Sequence, residues 1–411
     1  MSIRFGIFGC RRGGDLVGNI IDAGGEVVAL CDRDDSMMDG IAARYPAAAG
    51  AAKYHDFDTF IAHDMDAVLL ANAFSEHVDF AVRALEAGKH VISETTANVC
   101  MADGVRLCRA VERTGKVYSL FENYPLMCRC LEMERLYKSG QLGKVVYAEG
   151  EYVHPMTADE QNFLSPGRLH WRNWTPRCFY TTHALAPLMR MTDTMPKKVT
   201  AMASYAPEVA KGTALNTGDA AAILLLQMDN DAVFSVNGWS CFYPHGNHYR
   251  ICGTKGGVVG FDNSEEITVS WRPGAKPESA PADEVSYRPV WANDEMGRKA
   301  ATAGHGGGDF LMFWEFIRCL ENGEEPYWNV YRATALSSAA ILGWRAVLEG
   351  KTYEIPDFRD EAQRKLYEND FVSPYPDADG VSGVRACSKP YAPSEEDLAA
   401  AQATWDDPPK L

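Results

Sequence analysis

The sequence predicts an α/β fold in which an N-terminal, doubly wound parallel sheet precedes a C-terminal α+β domain with an open mixed or antiparallel sheet. Three observations support this prediction. Short apolar strands alternate with helical segments up to Tyr124, which is typical of parallel sheets with crossover helices. A glycine-rich turn joins the first strand to the first helix. Beyond Tyr124 the predicted strands are longer and the crossover helices fewer.

Local patterns place the elements as follows. Strands are predicted at residues 3–9, 26–32, 66–72, 89–94 and 117–121, and helices at 15–24, 76–87 and 100–114. In the second part, strands are predicted at 145–153, 198–205, 220–237 and 247–260, and helices at 127–139, 309–321 and 331–349. From residue 372 the chain is rich in Pro, Asp, Ser and Ala, which predicts an extended surface arm with a short helix near 394–403.

Chain length and composition limit the possible organisation and function. The 411 residues exceed what one compact core usually holds, so we expect three regions: domains at 1–123 and 124–371, and an arm at 372–411. A formal net charge of −16 argues against nucleic acid or an anionic membrane as partner, because both favour a basic face. Eleven cysteines without Cys-x-x-Cys spacing predict reduced thiols and no metal site. The start reads as a strand rather than a leader, so a cytoplasmic location is expected.

The glycine-rich turn Gly9-Cys-Arg-Arg-Gly-Gly14 follows the first strand and opens the first helix. In this context it predicts a dinucleotide site, because amides at a helix N-terminus face the pyrophosphate. Arg11 replaces the usual middle glycine, so either the phosphate lies further out or an arginine side chain contributes to its binding. The predicted cofactor contacts are Phe8, Gly9, Cys10, Arg11, Arg12 and Gly13.

An acidic residue at the end of the second predicted strand specifies the dinucleotide. Asp32 can accept the ribose hydroxyls and would repel a 2′-phosphate, which favours NAD over NADP, although Arg33 beside it weakens this preference. The alternative interpretation is a glycine turn that caps a helix beside an acidic loop.

Several stretches resemble the Gfo/Idh/MocA oxidoreductases. They are Phe5-Gly-Ile-Phe-Gly9, Cys31-Asp32, Ala84-Leu-Glu-Ala-Gly-Lys-His-Val91 and Gly140-Gln-Leu-Gly143. The resemblance implies an N-terminal Rossmann domain that binds NAD, and a C-terminal α/β domain whose open sheet often forms an oligomer contact. We therefore expect a homo-oligomer, either a dimer or a tetramer.

Two positions depart from the dehydrogenases of this superfamily. Their Glu-Lys-Pro motif is replaced by Glu94-Thr95-Thr96, and Phe179 stands where they tend to carry Asp. The chain is more similar to family 109 glycoside hydrolases and related NAD-dependent glycosidases, which also lack that lysine. The stretches that carry this likeness are Phe121-Glu-Asn-Tyr124, Glu149-Gly-Glu-Tyr-Val-His154, Tyr180-Thr-Thr-His-Ala-Leu-Ala-Pro187, Cys252-Gly-Thr-Lys-Gly256 and His305-Gly-Gly-Gly-Asp-Phe310.

This second resemblance implies hydrolysis of a small-molecule glycoside without net oxidation. In the family mechanism, NAD⁺ takes a hydride from C3 of the sugar, and the 3-ketone acidifies the proton on C2. A base removes that proton, the glycosidic oxygen leaves by elimination, water adds, and the hydride returns to C3. Such chemistry needs positioned acids and bases rather than the paired carboxylates of ordinary glycosidases.

The same resemblance assigns roles to individual residues. Tyr180 and His183, three residues apart on one face of a helical turn, are expected to be catalytic, and histidine suits this role because its ordinary pKa is about 6.5. A second catalytic pair is expected from His248 with Tyr243 or His245. Substrate contacts are expected from His154, His245 and Glu94, and nicotinamide-side cofactor contacts from Asn72, His77, Glu94, Asn123, Trp171 and Arg172.

Other interpretations stay open at this stage. For His305, a structural part in a glycine-rich helix start is expected, with substrate contact as the alternative. Two further functions compete with hydrolysis: an NAD-dependent sugar dehydrogenase that releases a 3-keto glycoside, and a non-catalytic NAD-bound binding protein.

Overall fold

The computed structural model describes residues 2–261, 265–377 and 379–409, and the chain forms two compact units. Unit 1 comprises residues 1–132, 289–334 and 357–369, and unit 2 comprises residues 133–288, 335–356 and 370–411. These divisions differ from the predicted boundaries, because segments late in the sequence return to unit 1 and the C-terminal arm belongs to unit 2. Among the described residues, no helix is long and apolar enough to cross a membrane.

The elements are numbered in chain order. The strands of unit 1 are β1 (Arg4–Phe8), β2 (Glu26–Cys31), β3 (Ala52–Tyr54), β4 (Ala67–Leu70), β5 (His90–Glu94) and β6 (Tyr118–Phe121). The strands of unit 2 are β7 (Val145–Val153), β8 (Pro196–Tyr205), β9 (Asp219–Met228), β10 (Val233–Ser240), β11 (His248–Gly253), β12 (Gly256–Phe261), β13 (Ile267–Trp271), β14 (Glu284–Tyr287) and β15 (Tyr353–Glu354).

The helices follow the same numbering. They are α1 (Cys10–Asp22), α2 (Asp35–Arg44), α3 (Phe57–Ile61), α4 (His77–Glu86), α5 (Met101–Thr114), α6 (Cys128–Lys138), α7 (Ala158–Leu164), α8 (Thr182–Thr192), α9 (Glu295–Thr302), α10 (Gly308–Asn322), α11 (Val330–Glu349), α12 (Glu361–Lys365) and α13 (Glu395–Asp406). Short 3₁₀ segments, among them Trp171–Trp174, Arg177–Thr181 and His305–Gly307, connect several of these elements.

Unit 1 contains a parallel sheet with strand order β3-β2-β1-β4-β5-β6. This is the doubly wound order in which ligands bind beyond the carboxyl ends of the strands. The apolar runs of β1 and β4 are buried because helices cover both faces of such sheets. The sheet also packs against α10, where the Phe5 ring contacts Phe313 and Phe316 with centroids 6.1 and 6.2 Å apart.

Unit 2 contains an open mixed sheet with strand order β14-β13-β12-β11-β7-β10-β9-β8-β15. Its neighbours pair antiparallel except β7 and β10, which are parallel. Strands β9 and β11 alternate buried and half-buried or exposed side chains, as expected where one sheet face is covered and the other is not. The predicted fold class is confirmed for both sheets.

Some predicted elements were wrong in detail. Residues 220–237 and 247–260 each form two antiparallel strands rather than one, because the chain reverses between β9 and β10 and again between β11 and β12. Asp231, with φ of 68°, lies in the first of these turns. Strand β3 was missed because it is only three residues long. The first helix begins at Cys10, directly after the glycine turn, rather than at residue 15.

Helix α8 and the 3₁₀ segment before it pack against the unit 2 sheet at two glycines. A Cβ added to Gly150 of β7 would lie 2.1 Å from the carbonyl oxygen of Ala184 in α8, and one added to Gly238 of β10 would lie 2.3 Å from that of Arg177. Both distances are shorter than any tolerable contact, so the absence of side chains lets this segment approach the sheet. The sequence on either side of Tyr180 is thereby held on the covered face.

The C-terminal arm forms specific contacts within unit 2. The side chain of Asp219 accepts hydrogen bonds from the Ser388 amide nitrogen and hydroxyl, and Trp405 Nε1 donates to Asn162 O at 3.0 Å. Arg345 forms two hydrogen bonds of 2.6 Å with the carboxylate of Asp370. In its described residues, 370–377 and 379–394, the arm contains no helix or strand, and it ends in α13.

We predict that Gly150→Ala destabilises unit 2 by about 1–3 kcal/mol, since the new methyl group must displace the backbone of α8. Urea unfolding followed by tryptophan fluorescence measures this change. Gly40→Ala is the matched control, because Gly40 lies within α2 with open space around its Cα, and there alanine should stabilise the helix by about 0.5–1 kcal/mol. Equal stability of the Gly150→Ala variant and the wild type would contradict the proposed close packing.

Candidate active site

The turn after β1 has the geometry of a phosphate cradle. Gly9 has φ of 93°, and a Cβ there would lie 2.5 Å from the Ala71 carbonyl oxygen, so only glycine fits. Helix α1 begins at the next residue and points its N-terminal amides out of the turn, as a dinucleotide site requires. A Cβ on Gly13 would lie 2.5 Å from Ile7 Cγ2, which explains the glycine at that position. The Arg11 side chain is exposed beside the turn.

Asp32 follows β2 and is fixed by backbone amides. Its Oδ2 accepts the Cys10 amide at 2.7 Å, and its Oδ1 accepts the Asp34 amide at 3.0 Å. The half-buried carboxylate is therefore oriented beside the glycine turn. Arg33 is exposed and forms no described hydrogen bond or ion pair with the Asp32 carboxylate.

Two other residues expected at the cofactor differ in their burial. The half-buried Phe8 ring packs among Phe57, Phe60 and Phe80, with centroids 4.9, 6.2 and 4.5 Å away. The Cys10 thiol is buried, and burial, together with the charge of Asp32, raises its pKa to about 12. The Cys10 side chain therefore faces the core, and its backbone belongs to the glycine turn.

The carboxyl end of β4 offers unsatisfied polar atoms. Among the described residues, the buried Oδ1 and Nδ2 of Asn72 find no hydrogen-bond partner. Buried side-chain amides rarely lack such a partner. His77 lies behind Asn72, with Nδ1 3.0 Å from Thr96 O and Nε2 3.3 Å from Asn72 O. Burial lowers the pKa of His77, which favours a neutral ring, and this ring supports the backbone at Asn72. The Asn72 amide and the glycine cradle fit the polar groups of a dinucleotide.

A buried carboxylate joins the remaining cofactor candidates of unit 1. Asp309, whose side chain is 6% exposed, accepts Asn123 Nδ2 at 2.6 Å and lies 3.7 Å from Arg12 Nη2. Arg12 Nε in turn donates to Glu94 Oε1 at 2.7 Å, and His305 Nδ1 lies 2.9 Å from Asp309 Oδ2. We call these five residues the Asp309 network. Glu94 is the last residue of β5 and Asn123 follows β6, so the network lies at the carboxyl edge of the sheet.

Charge within this network keeps Arg12 and Asp309 ionised. Burial alone would lower the pKa of Arg12, but the charges of Glu94 and Asp309 raise it overall. Burial would likewise raise the pKa of Asp309, yet the hydrogen bond from His305 and the charges of His305 and Arg12 lower it. Sequence reasoning missed Asp309, although the motif that contains it was identified.

In unit 2, Tyr180 and His183 lie within a cluster of aromatic rings. The Tyr152 ring is stacked 6.0 Å from Tyr180 and meets His183 edge-on at 4.8 Å. Tyr180 and His183 are 5.9 Å apart, and Trp239 lies 4.9 Å from Tyr180. Arg172 Nη1 donates to Tyr180 Oη at 3.0 Å. We call these five residues the Tyr180 cluster.

Residues near the Tyr180 cluster hold it in place. Arg172 is stacked over the Trp171 ring at 4.5 Å, so both of these cofactor candidates lie beside Tyr180 within unit 2. Tyr375 of the C-terminal arm bonds Thr175 Oγ1 at 3.2 Å, and its burial raises the pKa of the phenol.

The residues of the second predicted catalytic pair lie in β11 or shortly before it. His248 stacks on Phe261 at 4.5 Å, and its strand neighbour Tyr249 points to the opposite sheet face, where its Oη donates to His183 O at 2.7 Å. Successive side chains of a strand face opposite sides, so Tyr249 contacts the segment of the Tyr180 cluster, and a catalytic role of His248 stays a prediction. Tyr243 is 74% exposed, outside the described contacts of the cluster.

Another histidine pair lies beside the cluster. The His154 ring is 5.1 Å from His245 and 5.7 Å from Tyr152. Burial, followed by the charges of His245, His183 and Arg172, lowers the pKa of His154. Tyr152, Trp239 and Tyr249 were missed from the sequence. Alternation along β7 would have indicated Tyr152 and His154, two positions apart, on one face. Among the described residues, no group of His, Cys, Asp or Glu could hold a metal ion.

Three family models match the chain. Residues 3–122 match "Oxidoreductase family, NAD-binding Rossmann fold", residues 130–259 match "GFO/IDH/MocA C-terminal domain", and residues 212–364 match "Glycosyl hydrolase 109, C-terminal domain". The chain belongs to the Gfo/Idh/MocA oxidoreductase superfamily. The resemblance noted from the sequence is confirmed, and NAD is the cofactor, because the first model spans the glycine cradle, Asp32 and Asn72.

Individual proteins agree with this membership. A glycosyl hydrolase family 109 protein from Shewanella woodyi is 25% identical over 403 residues, covering 87% of this chain and 85% of its own. Levoglucosan dehydrogenase, solved with NADH and levoglucosan, has a TM-score of 0.71 at 16% identity and covers 87% of this chain and 100% of its own. The WlbA dehydrogenase from Bordetella pertussis, solved with NADH and UDP-GlcNAcA, has a TM-score of 0.68 at 21% identity. The match covers 86% of this chain and 98% of its own. At such identities the solved structures show the fold alone. The Gfo/Idh/MocA protein described here is an NAD-dependent enzyme with an oxidoreductase fold.

We predict that Asp32→Ala weakens NAD binding roughly 10- to 100-fold, since hydrogen bonds to a charged group contribute about 1.5–3 kcal/mol. Calorimetric titration of NAD into protein freed of dinucleotide measures this loss. Asp35→Ala is the matched control, because Asp35 is an exposed carboxylate of the same loop and should leave the affinity unchanged. Equal NAD affinities of the two variants would show that Asp32 does not contact the ribose.

Proposed function

We propose that this Gfo/Idh/MocA enzyme is a glycoside hydrolase that cleaves its substrate by transient oxidation at carbon C3, followed by elimination across C2 and C1, water addition and re-reduction. The observation that carries the proposal is the Tyr180 cluster. It places a tyrosine hydroxyl, a histidine and an arginine together, whereas the lysine of the related dehydrogenases is replaced by Thr95. The match to the family 109 C-terminal model supports the same function.

Unit 1 holds the cofactor in this proposal. When bound, NAD supplies the acceptor for the C3 hydride and later the donor that restores it. The glycine cradle at Gly9 holds the pyrophosphate, Asp32 holds the ribose hydroxyls, and Asn72 and Asn123 orient the nicotinamide half. Arg12 pairs with Glu94 and with Asp309 at the edge where these contacts are made.

Unit 2 supplies acid and base for the elimination. Arginine only donates hydrogen bonds, so Tyr180 Oη accepts from Arg172 and keeps its own proton to give to the departing glycosidic oxygen. A ring nitrogen of His183 takes the proton from C2, which a ketone at C3 makes acidic. Tyr152 fixes the ring plane of His183, and Tyr249 fixes its backbone oxygen. Water addition uses the same two groups in the reverse direction. Tyr180 takes a proton from the water, and His183 returns a proton to C2.

The main alternative is a sugar dehydrogenase that releases a 3-keto glycoside. It is favoured by the fold, because solved neighbours include a levoglucosan dehydrogenase bound to NADH and levoglucosan. The absence of the lysine counts against it. A non-catalytic NAD-bound protein is a weaker alternative, because such a protein would not need the hydrogen bond by which Arg172 polarises the Tyr180 hydroxyl.

A panel of p-nitrophenyl glycosides, assayed without added NAD⁺, tests the function directly. We expect nitrophenol release without NADH accumulation, and exchange of the C2 hydrogen with solvent deuterium. Accumulation of NADH in proportion to substrate would instead identify a dehydrogenase.

We predict that Tyr180→Phe and His183→Ala each lower the rate of nitrophenol release about 10²- to 10⁴-fold, the usual contribution of general acid–base catalysis. NAD should stay bound, because neither residue belongs to the glycine cradle or the Asp309 network. Steady-state kinetics and the absorbance of released dinucleotide measure both effects. Tyr205→Phe and His63→Ala are matched controls outside the cluster, and rates equal to theirs would remove Tyr180 and His183 from the mechanism.

The enzyme is also proposed to be a homo-oligomer that associates through the uncovered face of the unit 2 sheet. Met202, Ile223 and Leu225 lie on this face with exposed fractions of 82%, 47% and 47%, and contiguous apolar patches of this kind mark interfaces. We predict that Ile223→Lys lowers the molar mass found by light scattering, because a charge would be buried in the contact. A wild-type monomer would contradict the proposal, and Lys53→Ala, in unit 1, serves as control.

A further inference from the structure

His305 is an exposed residue with a strained backbone, in the 3₁₀ segment between α9 and α10. Its φ is 50°, which is uncommon for a residue with a side chain and is kept only where surrounding structure enforces it. Three residues later the backbone packs against the segment that follows β6, since a Cβ on Gly308 would lie 2.2 Å from the Asn123 carbonyl oxygen. The backbone next to His305 is therefore closely packed, and the hydrogen bond to Asp309 holds the imidazole.

The hydrogen bond to Asp309 determines the tautomer of His305. An ionised carboxylate can only accept, so Nδ1 carries the proton that it donates across 2.9 Å, and Nε2 of the neutral ring is left as an acceptor. The His305 side chain is 39% exposed, whereas that of Asp309 is 6% exposed. This arrangement of a buried carboxylate behind a reachable imidazole is the one that orients a histidine as a general base.

Asp309 does not need the His305 imidazole as a partner for its charge. Asp309 lies in the first turn of α10, where a carboxylate is favoured by the helix dipole. The same carboxylate already accepts Asn123 Nδ2 at 2.6 Å and lies 3.7 Å from Arg12 Nη2. The structure therefore pairs Asp309 without His305, and the fixed orientation of His305 needs another explanation.

The position of His305 supplies that explanation. Asn123 follows β6, and Arg12 belongs to the glycine turn after β1, so the Asp309 network lies at the carboxyl edge where NAD binds. In the related dehydrogenases a lysine follows the residue that matches Glu94, whereas here Thr95 follows it. An oxidation at a hydroxyl-bearing carbon still requires a group that takes the hydroxyl proton.

We propose that His305 is the catalytic acid–base residue for the sugar hydroxyl that is oxidised, with Asp309 as its positioning residue. The inference rests on the proposed function. The O–H proton of the C3 hydroxyl passes to Nε2 of His305 while the C3–H bond breaks and its electron pair leaves as hydride to the nicotinamide, so that a ketone forms. Re-reduction reverses both transfers. His183 is then responsible for the C2 proton alone.

A substrate that is already oxidised at C3 distinguishes the role of His305 from that of His183. The probes are the p-nitrophenyl glycoside cleaved by the wild type and its chemically prepared 3-keto derivative, which enters after the oxidation. His305→Gly suits the backbone because glycine tolerates positive φ. We expect it to release nitrophenol from the glycoside about 100-fold or more slowly than wild type, from the ketone at the wild-type rate, and to keep its calorimetric affinity for NAD. Added imidazole should restore glycoside cleavage.

Comparison variants make the result specific. His183→Ala should lose activity on both probes and His63→Gln on neither, and Asp309→Asn should slow the glycoside reaction. Unchanged cleavage of the glycoside by His305→Gly, or an equal loss on glycoside and ketone, would overturn the assignment.

The same assays distinguish failure of this inference from failure of the proposed hydrolysis. If the wild type forms NADH from the glycoside without releasing nitrophenol, hydrolysis is wrong, and His305 is judged by whether its glycine variant slows NADH formation. If the wild type neither cleaves nor oxidises any glycoside of the panel, both proposals are wrong.

Discussion

A buried negative charge organises the catalytic edge of unit 1. Asp309 is almost fully removed from solvent, and an unpaired carboxylate in that environment would be strongly destabilising. The fold resolves this by directing donors from three separate parts of the sequence toward it: Arg12 from the glycine turn, Asn123 from the end of β6, and His305 from the turn before α10. Because each donor also belongs to the cofactor edge, the requirement to pair one charge fixes the relative positions of the groups proposed to bind NAD and to move a proton.

In unit 2 the corresponding constraint is steric. The segment that carries Tyr180 and His183 reaches its place only because Gly150 and Gly238 leave no side chains between it and the sheet. Once the backbone is that close, side chains that alternate onto the covered face must contact it, and Tyr152, Trp239 and Tyr249 do so. Tyr180 is therefore buried among rings, and this environment strengthens the hydrogen bond from Arg172 to its hydroxyl.

Much of this arrangement could be predicted from the sequence, for identifiable reasons. The parallel sheet, the glycine cradle and Asp32 follow from strong local signals, namely strand–turn–helix order and an acid at a strand end. The pairing of Tyr180 with His183 follows from helical spacing. The sheet face of His248 could not be derived from the sequence, because a shift of one residue along a strand moves every side chain to the other face. The Asp309 network could not be derived, since its members are far apart in sequence and local pattern carries no information about which carboxylate they share.

The loss of the dehydrogenase lysine has a consequence beyond one residue. With Thr95 in that place, the proton of the C3 hydroxyl has to pass to another group, and the His305 imidazole, held by Asp309, is the group proposed here. In a reaction that runs forward and backward within one turnover, the same group takes this proton during oxidation and returns it during re-reduction. In the proposed hydrolysis, the Asp309–His305 pair would act in these two steps, and the Tyr180 cluster would act on the intermediate ketone.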